Sequence, residues 1–238
     1  MPSKAHILFC ELDPVGHERL ERVVLPLLAP DEQARYRSFS SETRRHAWLT
    51  GRELLLAAHV SFIGEPDTHA LLTDSNGGVR YAHGGVYLNL SHSGGLFAAA
   101  ISDVPVGVDI ERIRPRAVTT QAARVFCAGE AAALQRGPDP LAGFYRLWTL
   151  KEAACKAVGL SIWDALGGAC FDLEAASCRL DEPFPSGPWR FMYAGVAPDW
   201  RLGLALRSGG TVQVDCFRRR NGAWEGQALM DMKFVAAG

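Results

Sequence analysis

The sequence predicts an α+β fold of two similar lobes, and three observations carry that prediction. Two long helical stretches are framed by capping residues, one from about Ser41 to Gly64 and one from Asp139 to Gly159. Each is followed by short apolar segments cut by Gly, Pro, Asn and Asp, the pattern of antiparallel strands rather than of alternating β-α units. At roughly 150 residues per domain, 238 residues give between one and two domains. The expected lobes are 1–104 and 105–238, meeting within one compact unit, with no residue-level repeat between them.

The elements follow in order. Ala5 to Cys10 reads as a first strand. Leu20 to Leu28 and Asp31 to Phe39 have helical spacing, with Pro30 between them. The first long helix carries Trp48, Leu49, Leu54, Leu55, Ala58 and Phe62 and stops at Gly64 and Pro66. A turn is expected at Asp74 to Gly78. Val86 to Ser91, Leu96 to Ile101 and Val106 to Ile110, separated by Gly94-Gly95 and Asp103-Val104-Pro105, read as a three-stranded meander. The second long helix has Asp139 as N-cap and Pro140 at its first position. Phe171 to Leu173, Trp189 to Tyr193, Leu202 to Leu206 and Val212 to Phe217 complete the strands.

Composition excludes several classes. Apolar residues at 48% and charged residues at 21% describe an ordinary globular chain. A net charge of −1 provides no whole-chain field for nucleic acid or an anionic membrane, so neither partner is expected and any anion site is local. No run approaches the length of a membrane span. The six cysteines form no close C-x-x-C pair, and the apolar start is too short for a secretory signal. Free thiols and a cytoplasmic location are the expectation.

The chemistry concentrates in three places. On the second long helix, Leu141, Phe144, Tyr145, Trp148 and Cys155 form an apolar arc, and Glu152 falls about 40° from Trp148, within it. Lys156 flanks it one turn on. A surface Glu-Lys pair is the plain explanation of that spacing, but a carboxylate on a core-facing arc calls for a compensating partner. Asp109 and Glu111 supply one, because the two-residue period of a strand points both to one face. Three carboxylates gather without raised pKa values only around a cation, and all-oxygen ligation favours Mg²⁺. Asn89-Leu90-Ser91-His92-Ser93 offers hydroxyls and an imidazole to phosphate oxygens at a glycine turn, and Arg44, Arg45 and Arg52 add forked cations suited to phosphate. Each of these also has an ordinary reading as turn residue or solvated face.

Gly107-Val108-Asp109-Ile110-Glu111-Arg112-Ile113 followed by Trp148-Thr149-Leu150-Lys151-Glu152-Ala153-Ala154-Cys155-Lys156 resembles the paired signature of the 4′-phosphopantetheinyl transferases, with Asn89 to Ser93 as the upstream third motif. Arg45 to Arg52 and Phe126 with Glu130 extend the resemblance over roughly residues 31 to 175, and the length matches the surfactin-type, monomeric, pseudo-dimeric class. The resemblance implies transfer of phosphopantetheine from coenzyme A to a serine of an apo acyl carrier protein or peptidyl carrier domain. It implies Asp109, Glu111 and Glu152 on Mg²⁺, and phosphate contacts from His92 and Lys156. Gly77-Gly78-Val79-Arg80 departs from the family's Gly-Lys-Pro at that place, with Arg80 as a candidate substitute. Glu152 is assigned as base, Lys156 as the cation on the leaving phosphate, and Arg44, Arg45, Arg52, Ser91, His92 and Lys156 as coenzyme contacts. Phe126 to Leu134, with Arg124 and Arg136, is the expected carrier-docking surface. Two other classes stay open: a non-catalytic protein that binds coenzyme A or a carrier, and a Mg²⁺-dependent hydrolase of pyrophosphate compounds.

Overall fold

The computed structural model describes residues 2–64, 71–73, 79–81 and 85–237, without the side chains of 71–73, 79–81 and Thr119. The turn expected at 74–78 lies outside the described residues, as does the side chain of Arg80. The strands are β1 (Ser3–Glu11), β2 (Leu71–Thr73), β3 (Val79–Tyr81), β4 (Tyr87–Ser93), β5 (Leu96–Ser102), β6 (Val106–Arg112), β7 (Ala169–Asp172), β8 (Ser177–Leu180), β9 (Trp189–Ala197), β10 (Trp200–Leu206), β11 (Val212–Arg220), β12 (Ala223–Gly226) and β13 (Met230–Ala237). The helices are α1 (His17–Val23), α2 (Pro30–Ser38), α3 (Glu42–Ile63), α4 (Val118–Val125), α5 (Ala128–Arg136), α6 (Pro140–Val158) and α7 (Ile162–Ala165).

The α+β class holds. One sheet runs β12-β11-β1-β5-β4 and a second runs β6-β10-β9-β13-β8-β7, with β2 and β3 a separate pair. Helices α1 to α3 bury Leu20, Leu49, Leu54 and Leu55 against Leu8, Phe97 and Ile101 of the first sheet. Helices α4 to α6 pack Phe126, Phe144 and Leu150 over Phe191 and Tyr193 of the second. The inner faces meet through Ile7, Phe9, Ala98 and Ala100 on one side and Val108, Ile110, Leu202 and Leu204 on the other. Strand β5 is buried along its whole length because a helix covers one face and a sheet the other. That is why its sequence is continuously apolar instead of alternating.

Three expectations are corrected. The meander stops after two strands: β4 and β5 form the hairpin at Gly94-Gly95, whose φ angles of 54° and 87° are those a two-residue turn requires, while β6 crosses to the second sheet and pairs with β10. A cut at residue 104 does not separate the sheets, because β11 pairs in parallel with β1, from Ser3↔Val212 to Phe9↔Arg218, and brings β12 with it. The thiols are not all free. Cys127, the N-cap of α5, and Cys170 on β7 form a disulfide with Cα atoms 6.0 Å apart. Their separation of 43 residues gives no sequence signal, since the pairing depends on α5 lying against β7. Closing a loop of that length stabilises the fold by about 4 kcal/mol in the chain-entropy account. Reduction, or Cys127→Ser, is therefore expected to lower the thermal midpoint by roughly 8–16 °C. A shift under about 2 °C would show that the bond contributes nothing to stability.

Candidate functional site

The site lies where β4, β6 and α6 meet at the junction of the two sheets. Strands β4 and β6 belong to different sheets, and side chains of β4 take the place of a backbone ladder between them. Asn89 Oδ1 accepts the Val108 N–H at 2.8 Å, Ser91 Oγ accepts that of Ile110 at 3.3 Å, and Ser93 Oγ accepts that of Arg112 at 3.1 Å. The two serines then donate to the carboxylates between those amides: Ser91 to Asp109 Oδ1 at 2.8 Å and Ser93 to Glu111 Oε2 at 2.8 Å. Each hydroxyl thus fixes one backbone position and one carboxylate of the same strand. The Ser91 hydroxyl, an expected coenzyme contact, bonds Asp109, Ile110 and Lys156. The sequence shows the polar alternation of this motif but not the strand that it faces.

Helix α6 reaches the same place across two glycines. A Cβ on Gly107 would stand 2.0 Å from the Ala153 carbonyl oxygen, and one on Gly203 would stand 2.3 Å from that of Thr149. Without side chains there, the helix backbone rests directly on β6 and β10. Its ends are set by Asp139, which accepts the Ala142 N–H at 2.9 Å, and by Gly159 at φ 74°. Trp148, Glu152 and Lys156, one turn apart, are all partly buried on the stripe facing the site. The expected arc is shifted by this geometry. Helix α6 is covered on more than one side, so Leu147, Leu150 and Lys151 are buried more deeply than Glu152.

Lys156 Nζ lies 2.7 Å from Asp109 Oδ1 and 3.1 Å from Ser91 Oγ. Burial alone would lower its pKa, but the carboxylates of Asp109, Glu152 and Glu111 raise it, so the ammonium stays charged. Glu152 is pushed up to about 7, chiefly by burial and also by Asp109 and Glu111, against the pull of Lys156. Glu111 is raised by burial, with Ser93 acting in the opposite direction. His92 packs on Phe97 with ring centroids 4.9 Å apart and is held below its ordinary pKa by burial and then by Lys156, which keeps the ring neutral.

A carboxyl group with a raised folded-state pKa holds its proton longer folded than unfolded. Stability attributable to Glu152 is therefore present below about pH 4.5 and is lost as pH rises toward 7. In chelator, Glu152→Gln should remove that loss, so its stability relative to the parent should increase across this interval. Parallel stability-pH profiles would contradict the assignment.

Asp109 offers one oxygen to a cation. Among the described residues no three His, Cys, Asp or Glu side chains are already drawn together as a metal cluster. A hydrated Mg²⁺ does not need one, since one or two carboxylates with substrate phosphates hold it. Asp109 Oδ2 is buried and has no hydrogen-bond partner, while Oδ1 takes both Ser91 and Lys156. An oxygen left in that state inside a protein is suited to a cation.

The arginines divide. Arg44 is exposed over the Phe39 ring, 4.6 Å from its centroid. Arg52, also expected at the coenzyme, has its guanidinium buried in an ion pair with Glu32, 4.2 Å from the Trp48 ring centroid. Arg45 Nε and Trp48 Nε1 are buried donors without a hydrogen-bond partner at the start of α3, and the His46 ring nitrogen Nε2 is buried there without one as well. His46 stands inside the Arg45 to Arg52 segment, and no charge or spacing pattern in the sequence marks it. Phe126 and Leu134, expected to offer apolar contact, are core residues at 8% and 7% exposure, whereas Arg124 and Arg136 are exposed.

Comparison with known proteins agrees with this constellation. The pattern of the 4′-phosphopantetheinyl transferase superfamily matches residues 105–205, which contain Asp109, Glu111, Glu152 and Lys156. The 4′-phosphopantetheinyl transferase AcpT of Salmonella typhimurium is 38% identical over 146 residues, covering 58% of this chain and 73% of the relative. The 4′-phosphopantetheinyl transferase HetI of Nostoc is 34% identical over 141 residues, covering 56% and 60%. The 4′-phosphopantetheinyl transferase psf-1 of Bacillus pumilus is 38% identical over 98 residues, covering 40% and 39%. With two adjoining sheets bringing a strand pair of carboxylates to a Glu-Lys helix, this chain belongs to the 4′-phosphopantetheinyl transferase superfamily and is a transferase of phosphopantetheine.

Proposed function

We propose that the chain transfers 4′-phosphopantetheine from coenzyme A to a serine hydroxyl of an apo acyl or peptidyl carrier protein, releasing adenosine 3′,5′-bisphosphate, with Mg²⁺ as cofactor. The observation that carries this reading is the cluster of Asp109, Ser91 and Lys156, in which one oxygen of Asp109 is already paired and the other has no hydrogen-bond partner, with Glu152 one turn before Lys156 on α6. Asp109, Glu111 and Glu152 are the residues that would hold the ion. When bound, Mg²⁺ neutralises charge on the pyrophosphate.

The chain's own groups do the rest. Lys156, anchored by Asp109 and Ser91, presents a fixed positive charge to the leaving phosphate. Glu152, with a pKa near 7, is matched to accept the proton of the attacking hydroxyl near neutral pH. A weak nucleophile attacking phosphorus gains most from such placement and from charge stabilisation. Neutral His92, with exposed Arg44 and the unpartnered side-chain nitrogens of Arg45 and His46, supplies phosphate contacts, each charged one contributing about 1.5–3 kcal/mol. The two-lobe division into 1–104 and 105–238 is kept only as a division of sequence around this junction.

Incubation of an apo carrier with coenzyme A and Mg²⁺ tests the reaction. Gain of a phosphopantetheine mass on the carrier supports transfer. Its absence, with coenzyme A still bound, would support the non-catalytic alternative, and cleavage of coenzyme A without a carrier would support the hydrolase. Exposed Arg124 and Arg136 are suited to an acidic carrier helix. Arg124→Glu or Arg136→Glu should raise KM for the carrier severalfold and weaken the salt dependence of the rate, leaving KM for coenzyme A unchanged. Equal change in both KM values would remove these arginines from the docking surface.

A further inference from the structure

A further charged pair sits inside the molecule, on the side of α6 turned away from Asp109. Lys151 and Glu130 are each 1% exposed, with Nζ and Oε2 3.0 Å apart. Apart from the Glu130 bond to its own helix cap, the contacts of the pair span different elements. Lys151 donates to the carbonyl of Leu166 at 3.0 Å and to that of Ala169, at the start of β7. Glu130 on α5 accepts the Cys127 N–H at 2.8 Å and the Phe171 N–H at 2.8 Å. The Cys127–Cys170 disulfide closes the same cradle, since Cys170 stands between Ala169 and Phe171.

Such a pair is an inefficient way to gain stability. Removing two charges from water costs several kcal/mol each, and apolar residues of similar volume commonly do as well. What directional bonds supply is position. The opposite side of α6 gains from it, because at Gly107 and Gly203 the helix backbone lies directly on the strands with no side chain between them to set its rotation. Lys151 precedes Glu152, so fixing its ammonium on two carbonyls and a carboxylate sets the rotation of the turn that carries Glu152. We infer that Glu130 and Lys151 are positioning residues for the transfer reaction, locking α6 in the rotation that directs Glu152 and Lys156 at the site.

The inference rests on Glu152 acting at the reaction centre, and the test separates the two claims. In the double variant Glu130→Gln with Lys151→Met, both charges are removed and side-chain volume is nearly kept. The expected result is a thermal midpoint near that of the parent and a kcat at least tenfold lower. KM for coenzyme A should change less than twofold, and amide hydrogen exchange should speed up in residues 149–156 but not in α3. A folded double variant with parental kcat and parental exchange in α6 overturns the inference, as does a loss that falls equally on kcat and on KM for coenzyme A. Should the double variant fail to fold, Glu130→Gln alone keeps an acceptor for the Phe171 N–H and is judged by the same readouts. Glu152→Gln is assayed alongside. Full activity in that variant would refute the site reading, and exchange in α6 would still decide whether the pair holds the helix.

Discussion

Replacing Glu152 by glutamine should lower transfer to an apo carrier by roughly 10²–10⁴-fold, the range that a positioned proton acceptor contributes. The carboxyl group feels the charges of Lys156, Asp109 and Glu111 and is pushed up to about 7, chiefly by burial. Glutamine retains its size and polarity but neither accepts the proton nor carries a negative charge toward a cation. The fold should not suffer, because the substitution removes a burdened charge instead of a stabilising contact. Binding of coenzyme A in chelator should therefore be close to parental while kcat falls. Activity within tenfold of the parent would exclude Glu152 as both base and metal ligand. Asp109→Ala should be as inactive, with the added loss of the bond to Lys156.

Gly107→Ala should be nearly as damaging although it touches no reacting group. The added methyl would lie 2.0 Å from the Ala153 carbonyl oxygen and 2.5 Å from the Ala157 amide nitrogen, and both obstacles are backbone. No rotamer change relieves such a clash, so α6 must move away from β6. Overpacking of this kind typically costs about 1–3 kcal/mol, and the rigid obstacle places this case at about 3, a fall in thermal midpoint of roughly 6–12 °C. The same displacement carries Glu152 and Lys156 away from Asp109, and misplacement of about 1 Å can lower a rate by about 10²-fold. A midpoint within about 2 °C of the parent, with full activity, would show that the close approach is not required.

Locally encoded features were legible in the sequence. Ser41 and Gly64 bound α3, Asp139 and Gly159 bound α6, and Gly94-Gly95 makes the β4–β5 turn, because caps and tight turns depend on a few adjacent residues. The strand face shared by Asp109 and Glu111 was legible for the same reason, through the two-residue period. Contacts distant in sequence were not. Nothing around Val106 says that β6 joins β10, nothing around Cys127 points to Cys170, and β11 gives no sign of pairing with β1. Lys151 was missed because a single helical stripe was sought on a helix that packs on several sides. The signal was present in Leu147, Leu150 and Ala154, which surround it with apolar positions.

The parallel pairing of β1 with β11 has a consequence for how the chain is made. During synthesis β1 and β5 emerge early, but the strand that covers the far edge of β1 begins only at Val212. At roughly 5–20 residues per second, the ribosome takes about 10–40 s to add the intervening stretch. Throughout that interval the nascent first sheet presents an unpaired strand edge, the kind of surface that recruits other chains. Completion of the first sheet thus waits on the synthesis of β11, and the sequence between β1 and β11 must emerge before that edge is closed.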